Sequence, residues 1–299
     1  MYLYVNDMKF YKAQTNGNDF VIIEGTSSKL TDEQKRLIAD RKYGIGCDQI
    51  VFFTFHDRQC FLEFFNQDGS RASMCGNGSC AVALLINRKY GIGEIELNVL
   101  DGDENCVSKS SSSTFFRRFA KYFSCQGLRF LSFARKTLER AESEAYLDRF
   151  GGRDVVKSRE YHIAPPKNIY KARIAGNEVT AAFPLPEQCG NIIITGNKHL
   201  ILDMSEINNA TTLAKTNPDC NIHFVETVAQ NILKIKTFER GVGWTLACGS
   251  GAVAVGYHSK IQGKIGILHD GGKSIVEVKR TSVELTTQPK IVYEGLWIE

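Results

Sequence analysis

Two cysteines of this chain sit in nearly the same local sequence. Cys75 lies in MCGNGSCAVA, and Cys248 lies in ACGSGAVAVG 173 residues later. Each is followed by Gly-x-Gly and a run of small and apolar residues that reads as a helix, so both sulfurs stand at helix N-termini. There the unsatisfied N–H groups and the helix dipole lower a thiol's pKa toward neutrality. The glycines admit a ligand close to the backbone, and the exposed N–H groups can hold a carboxylate. A single Cys-Gly-x-Gly before a helix is more readily a structural turn than a site. The duplication changes this, because a pseudo-two-fold arrangement brings two helix starts, and two thiols, face to face across a cleft. Inversion of a carbon centre requires two opposed groups of like kind. One removes a proton from one face while the other delivers a proton to the opposite face, and the reaction runs both ways. The α-proton of an amino acid is barely acidic, and helix N-termini are a natural source of stabilisation for the carbanion-like species.

The elements that position these cysteines also occur twice. Nine residues before each cysteine, a polar group closes an apolar strand: Asn66 in FFNQDG and Glu239 in KTFERG. Further upstream, Asn18 in TNGNDFVII corresponds to Asn197 in ITGNKHLIL, 179 residues apart. In the first half, strands are expected over 9–14, 20–24, 50–54 and 61–66, with helices over 31–42 and 76–90. Thr31 and Gln34 are spaced as a capping box. In the second half, strands are expected over 191–195, 200–203, 222–228 and 232–238, with helices over 206–215 and 249–261. Closing strands follow over 274–279, 282–287 and 291–298. The fold class is α+β, with two pseudo-symmetric domains of mixed and antiparallel strands wrapped around central helices. The expected boundaries are 8–101 plus 288–299 for the N-terminal domain, 102–152 for a basic inter-domain insertion, and 153–287 for the C-terminal domain.

The composition excludes several classes of function. With 299 residues, 43% hydrophobic and 23% charged, the chain is globular rather than disordered. Its 37 basic and 33 acidic side chains give a net charge of +4, too balanced to indicate a nucleic-acid partner, and the excess is confined to 107–150. No apolar run approaches the roughly 18 residues that cross a bilayer, and the N-terminus lacks the pattern of a secretion signal. The expected location is the cytoplasm, with no membrane partner. Nine cysteines form no CxxC pair, and in sequence the six histidines do not cluster with them. Neither a zinc site nor a disulfide scaffold is expected. With no Walker loop and no GxGxxG after a strand, no metal and no organic cofactor are expected.

The combined motifs resemble those of diaminopimelate epimerase, a cofactor-independent amino-acid racemase family. They are TNGNDF (15–20), YGIGCDQ (43–49), FNQDGS (65–70), MCGNG (74–78), TGNKH (195–199), PDCNIHF (218–224), ERGVGWTLACGSGA (239–252) and VYEGLWI (292–298). They run in family order across nearly the whole chain. The resemblance implies epimerisation of LL-2,6-diaminopimelate to the meso form, in lysine and peptidoglycan precursor biosynthesis, by a homodimer. It implies that Cys75 and Cys248 are the acid/base pair. It further implies that Asn18, Gln49, Asn66, Asn197, Asn221, Glu239 and Arg240 line the substrate site, and that the backbone of Gly76, Asn77, Gly249 and Ser250 holds the carboxylate at the reacting carbon. His199 is a further candidate. Two positions depart from the family pattern: Lys198 stands where Pro is usual, and Cys80 where an Arg is usual. Two alternatives remain, a proline or hydroxyproline racemase of the same fold and a catalytically impaired binding homologue. The first is expected to carry His where this chain has Asn77, and the second to have lost one cysteine.

Overall fold

A computed structural model describes residues 8–27, 30–100 and 168–298. The chain divides into one unit made of Met1–Gly102 with Ala164–Glu299 and another of Asp103–Ile163. The second unit, and with it the anticipated insertion 102–152, lies outside the described residues.

Within the first unit one strand-and-helix scheme is built twice. Its first half comprises β1 (Met8–Thr15), β2 (Asn18–Glu24), α1 (Asp32–Ala39), β3 (Gln49–His56), β4 (Gln59–Asn66), β5 (Arg71–Ala72), α2 (Gly76–Tyr90), β6 (Glu94–Val99), β7 (Asn168–Ala175) and β8 (Glu178–Pro184). The second half begins with β9 (Glu187–Cys189), β10 (Ile192–Thr195), β11 (Asn197–Asp203), a 3-10 segment (Met204–Asn209), α3 (Ala210–Thr216) and β12 (Cys220–Ala229). It continues through β13 (Ile232–Glu239), β14 (Gly243–Thr245), α4 (Gly249–Ser259), β15 (Lys264–His269), β16 (Gly272–Val278) and β17 (Ser282–Thr287), and β18 (Lys290–Trp297) closes the chain.

The pairing pattern repeats step for step. β1 runs antiparallel to β2, β2 parallel to β3, β3 antiparallel to β4, and β4 parallel to β6, which continues antiparallel into β7 and β8. The same succession links β10, β11, β12, β13, β15, β16 and β17. β18 returns antiparallel to β1, and β8 joins β17 across the halves. Matching the registers adds a correspondence the repeat alone does not reveal. Phe20 pairs with Gln49 as His199 pairs with Asn221, so Gln49 and Asn221 occupy equivalent places.

Each half wraps a helix that is apolar on all sides, as a helix enclosed by strands must be. In α2 every residue from Gly76 to Ile86 is buried, and in α4 every residue from Gly249 to Gly256. α2 packs on β1, β2, β3, β7, β8 and β18, and α4 on β10, β11, β12, β15, β16 and β17. One core joins both, from Phe20, Phe64 and Leu84 to Val253, Val255 and Val276. On the outer faces α1 covers Val21, Ile50 and Phe52, while α3 covers Leu200, Ile222 and Phe224. The capping box at Thr31 and Gln34 is formed. The single helix expected over 206–215 is instead a 3-10 segment followed by α3. Asn208 and Asn209 are weak helix formers, and Asn209 makes no capping bond at the junction. β6, β7, β8 and β15 are strands that the sequence reading did not place.

The two central helices meet start to start. A Cβ on Gly76 would stand 3.3 Å from the carbonyl carbon of Gly249 and from Ser250 N, and one on Gly249 only 2.8 Å from Asn77 N. At Gly249 the side-chain Oδ1 of Asn77 lies closer still, at 2.6 Å, but even with that side chain moved the backbone nitrogen cannot swing aside. Gly249→Ala should therefore destabilise the fold by about 1–3 kcal/mol, read as a lowered urea midpoint with an unchanged slope.

Candidate active site

The helix starts place both thiols. Cys75 is the N-cap of α2 and accepts from Gly78 N at 3.4 Å, and Cys248 is the N-cap of α4 and accepts from Gly251 N at 3.4 Å. The first N–H groups of each helix have no intrahelical partner, so those of Gly76, Asn77, Gly249 and Ser250 converge where the helices touch. Both cysteines are free thiols.

Strand ends then bring polar side chains around the thiols. The Cys75 thiol points to Asn18 Oδ1 at 3.8 Å, which also accepts from Asn77 Nδ2 at 3.4 Å. Asn18 is oriented from behind, where its Nδ2 donates to Asp48 Oδ2 at 2.9 Å. Asp48 belongs to a cluster that the sequence reading did not assign. Arg41 bonds Asp19 through both terminal nitrogens, at 3.0 and 2.7 Å, and reaches Asp48 at 2.7 Å, while Lys12 reaches Asp19 at 2.6 Å. Burial alone would raise Asp19, but the bonds from Arg41 and Lys12 outweigh it and hold the carboxyl at about 2. The clue was Asp48 itself, within the GIGCDQ motif.

Gln49 Nε2 donates to Asn66 Oδ1 at 3.3 Å, across the β3–β4 ladder. Asn221 Oδ1 accepts from the backbone of Arg240 at 3.0 Å, and Asn197 Nδ2 donates to the Met74 carbonyl at 3.1 Å, tying the halves together. Asn197, Asn221 and Arg240 line a pocket of about 200 Å³ with Ser73, Gly196, Lys198 and Asp219. Lys198 forms an exposed ion pair with Asp219 at 3.7 Å. Glu239 accepts from Thr245 Oγ1 at 3.1 Å and from the Cys248 thiol. Ser250 Oγ stands 3.6 Å from Cys248 Sγ. Cys80 is wholly buried in the first turns of α2, a core residue with no part in this constellation.

One expectation needs correction. Helix N-termini were expected to draw the thiols toward neutrality, but burial outweighs them: Cys75 is pushed up to about 12, against the bond from Gly78 N–H. Cys248 goes well above the ordinary range through burial and then the adjacent Glu239 charge. Along the sequence the histidines do not cluster with the cysteines. Yet β11, β12 and α4 converge to place ring nitrogens of His199 and His223 and the Cys248 sulfur within 4.8 Å of one another.

The diaminopimelate epimerase family model matches residues 10–111. The diaminopimelate epimerase of Campylobacter lari is 27% identical over 265 residues, covering 86% of this chain and 84% of that protein. Among solved structures, a PhzF-family phenazine biosynthesis protein of Bacillus anthracis superposes with a TM-score of 0.59 at 12% identity, over 99% of this chain and 100% of that one. A hydroxyproline epimerase from Agrobacterium vitis gives 0.58 at 9% identity, over 99% and 94%. The fold is thus shared with these enzymes, and the resemblance in sequence to diaminopimelate epimerases extends over most of the chain.

Burial pushes Glu239 up from 4.5 to about 7, against the bonds from Cys248 and Thr245. The folded chain therefore keeps a proton that the unfolded chain releases. This contribution to stability is complete below about pH 4.5 and is lost as pH rises through about 7. Glu239→Gln should flatten the decline of the urea midpoint across that window while leaving more acidic pH unaffected.

Proposed function

We propose that this chain is a cofactor-independent epimerase that converts LL-2,6-diaminopimelate to the meso form, with Cys75 and Cys248 as the two acid/base residues. The observation that carries this reading is the contact between two helix starts, each capped by a thiol. A substrate carboxylate held by the N–H groups of Gly76, Asn77, Gly249 and Ser250 sets its α-carbon between the sulfurs. One cysteine, as thiolate, takes the α-proton, and the other thiol delivers its proton to the opposite face. The electron pair left on carbon is stabilised through the carboxylate by the same N–H groups. The cysteines thereby exchange protonation states, ready for the reverse turnover.

Burial keeps both thiols protonated, so the thiolate forms as substrate binds, its proton leaving to solvent. The substrate's α-ammonium brings a positive charge beside the sulfur and lowers the cost of an anion there. Orientation falls to the surrounding amides. Asn18, fixed by Asp48, presents its oxygen toward Cys75. Asn66, Gln49, Asn197, Asn221 and Arg240 supply donors for the distal carboxylate, and Glu239 supplies an acceptor for an ammonium. The substrate is thus read at both ends. Asn77 stands where a proline or hydroxyproline racemase is expected to carry His, which favours the diaminopimelate reading. The same reading makes the protein a cytoplasmic homodimer of lysine and peptidoglycan precursor synthesis, with no nucleic-acid or membrane partner. Among the described residues, no helix is long and apolar enough to cross a membrane.

Incubation with LL- or meso-diaminopimelate in D₂O should place deuterium at the α-position without added metal or pyridoxal phosphate. No uptake between about pH 6 and 9 would overturn the proposal. Cys75→Ser and Cys248→Ser should each lower interconversion in both directions by about 10²–10⁴-fold, measured by chiral chromatography. Near-normal rates in either variant would remove the two-base mechanism.

A further inference from the structure

The floor beneath Cys248 is chemically unlike the floor beneath Cys75. By strand register, Phe20, Val51 and Phe64 of the first half correspond to His199, His223 and Thr237 of the second. Behind Cys75 the wall is therefore apolar, and all three of its residues are fully buried. Behind Cys248 it is a polar chain. His199 Nδ1 and His223 Nε2 share a hydrogen bond of 2.8 Å, and His223 Nδ1 reaches Thr237 Oγ1 at 3.1 Å. Gly251 makes room for it, since a Cβ there would lie 2.2 Å from His223 Cε1.

Both histidines are fully buried, and the remaining nitrogen of one, His199 Nε2, has no hydrogen-bond partner among the described residues. A buried, unpartnered imidazole nitrogen is costly unless something else uses it. The three groups Cys248 Sγ, His199 and His223 offer ligand atoms that all lie within 4.8 Å of one another.

We propose that Cys248, His199 and His223 form a binding site for a thiophilic divalent cation of the zinc class, and that occupancy shuts off proton transfer at Cys248. One thiolate and two neutral imidazoles are a favourable donor set for such an ion. Burial keeps both imidazoles neutral, as ligation requires. Bond lengths of about 2.0–2.3 Å mean that the three donors draw together by side-chain rotation, with His199 ligating through its unpartnered Nε2 and the bond between the histidines giving way to the ion. The thiol proton leaves to solvent as the sulfur–metal bond forms, so binding tightens as pH rises. The fourth position stays open for water or a substrate carboxylate. Cys75 contributes no ligand, and its apolar floor offers none.

The inference rests on the proposed function only for its effect on turnover, because binding is read without it. The reduced, metal-free full chain is titrated with Co²⁺ as a spectroscopic probe. The expected result is one equivalent that gives a near-ultraviolet thiolate-to-cobalt charge-transfer band and the visible bands of tetrahedral cobalt. The bands should persist in Cys75→Ala, vanish in Cys248→Ala, and require at least about tenfold more Co²⁺ in His223→Val or His223→Asn. Zn²⁺ should displace Co²⁺ and inhibit α-proton exchange in the wild type, with recovery on EDTA. Bands lost in Cys75→Ala but kept in Cys248→Ala would overturn the site, as would undiminished affinity in both His223 variants or no thiolate band in the wild type. A chain that shows the bands but never exchanges α-protons would leave the metal site standing and sink the proposed function.

Discussion

Everything around the candidate site depends on two helices approaching each other at their first residues, backbone against backbone. That approach leaves no room for side chains at Gly76 and Gly249. Helix starts repel electrostatically, because both carry the positive end of a dipole. What holds them together is the single core that runs from the strands around α2 to those around α4, closed by the pairing of β8 with β17. The unfavourable meeting of two positive ends is thus imposed by packing elsewhere, and it favours an anion placed beside them.

The symmetry of the frame is not a symmetry of chemistry. Asn66 is answered by Glu239, Gln49 by Asn221, Asn77 by Ser250, and Phe20 by His199. The first half anchors its contribution through the half-buried carboxylates Asp19 and Asp48 with Lys12 and the exposed Arg41, whose charge-assisted bonds fix the Asp48 carboxylate that holds Asn18. The loop of the second half has the exposed Lys198–Asp219 pair, an interaction worth about 0–1 kcal/mol.

Burial and reactivity are in tension at the thiols. Solvent exclusion strengthens every bond made to a reacting carboxylate, yet the same exclusion disfavours the thiolate on which proton abstraction depends. The Glu239 charge adds to that penalty at Cys248. In the proposed reaction, an ammonium-bearing substrate resolves the tension by bringing its own positive charge, which ties activation of the base to occupancy of the site.

Much of this was legible in the sequence. The offset of 173 residues between Cys75 and Cys248, repeated by Asn66 and Glu239, disclosed the duplication. The run GNGSCAVALLINRKY disclosed α2 to the residue, because small and apolar side chains after an N-capping cysteine have few other conformations open to them. The strands β7 and β8 escaped notice although β8 alternates buried and exposed positions, since they follow the biased stretch 102–152 and match none of the repeated stations. Three matters were decided by tertiary structure alone. The equivalence of Gln49 and Asn221 required strand register, for their offset differs from that of the cysteines. The company of His199, His223 and Cys248 required three elements far apart in the chain to converge. The protonation of the thiols required knowing how much water the fold excludes. Residue types and spacing act through local geometry and can be read along the chain, whereas desolvation is set by what the rest of the molecule packs around a group.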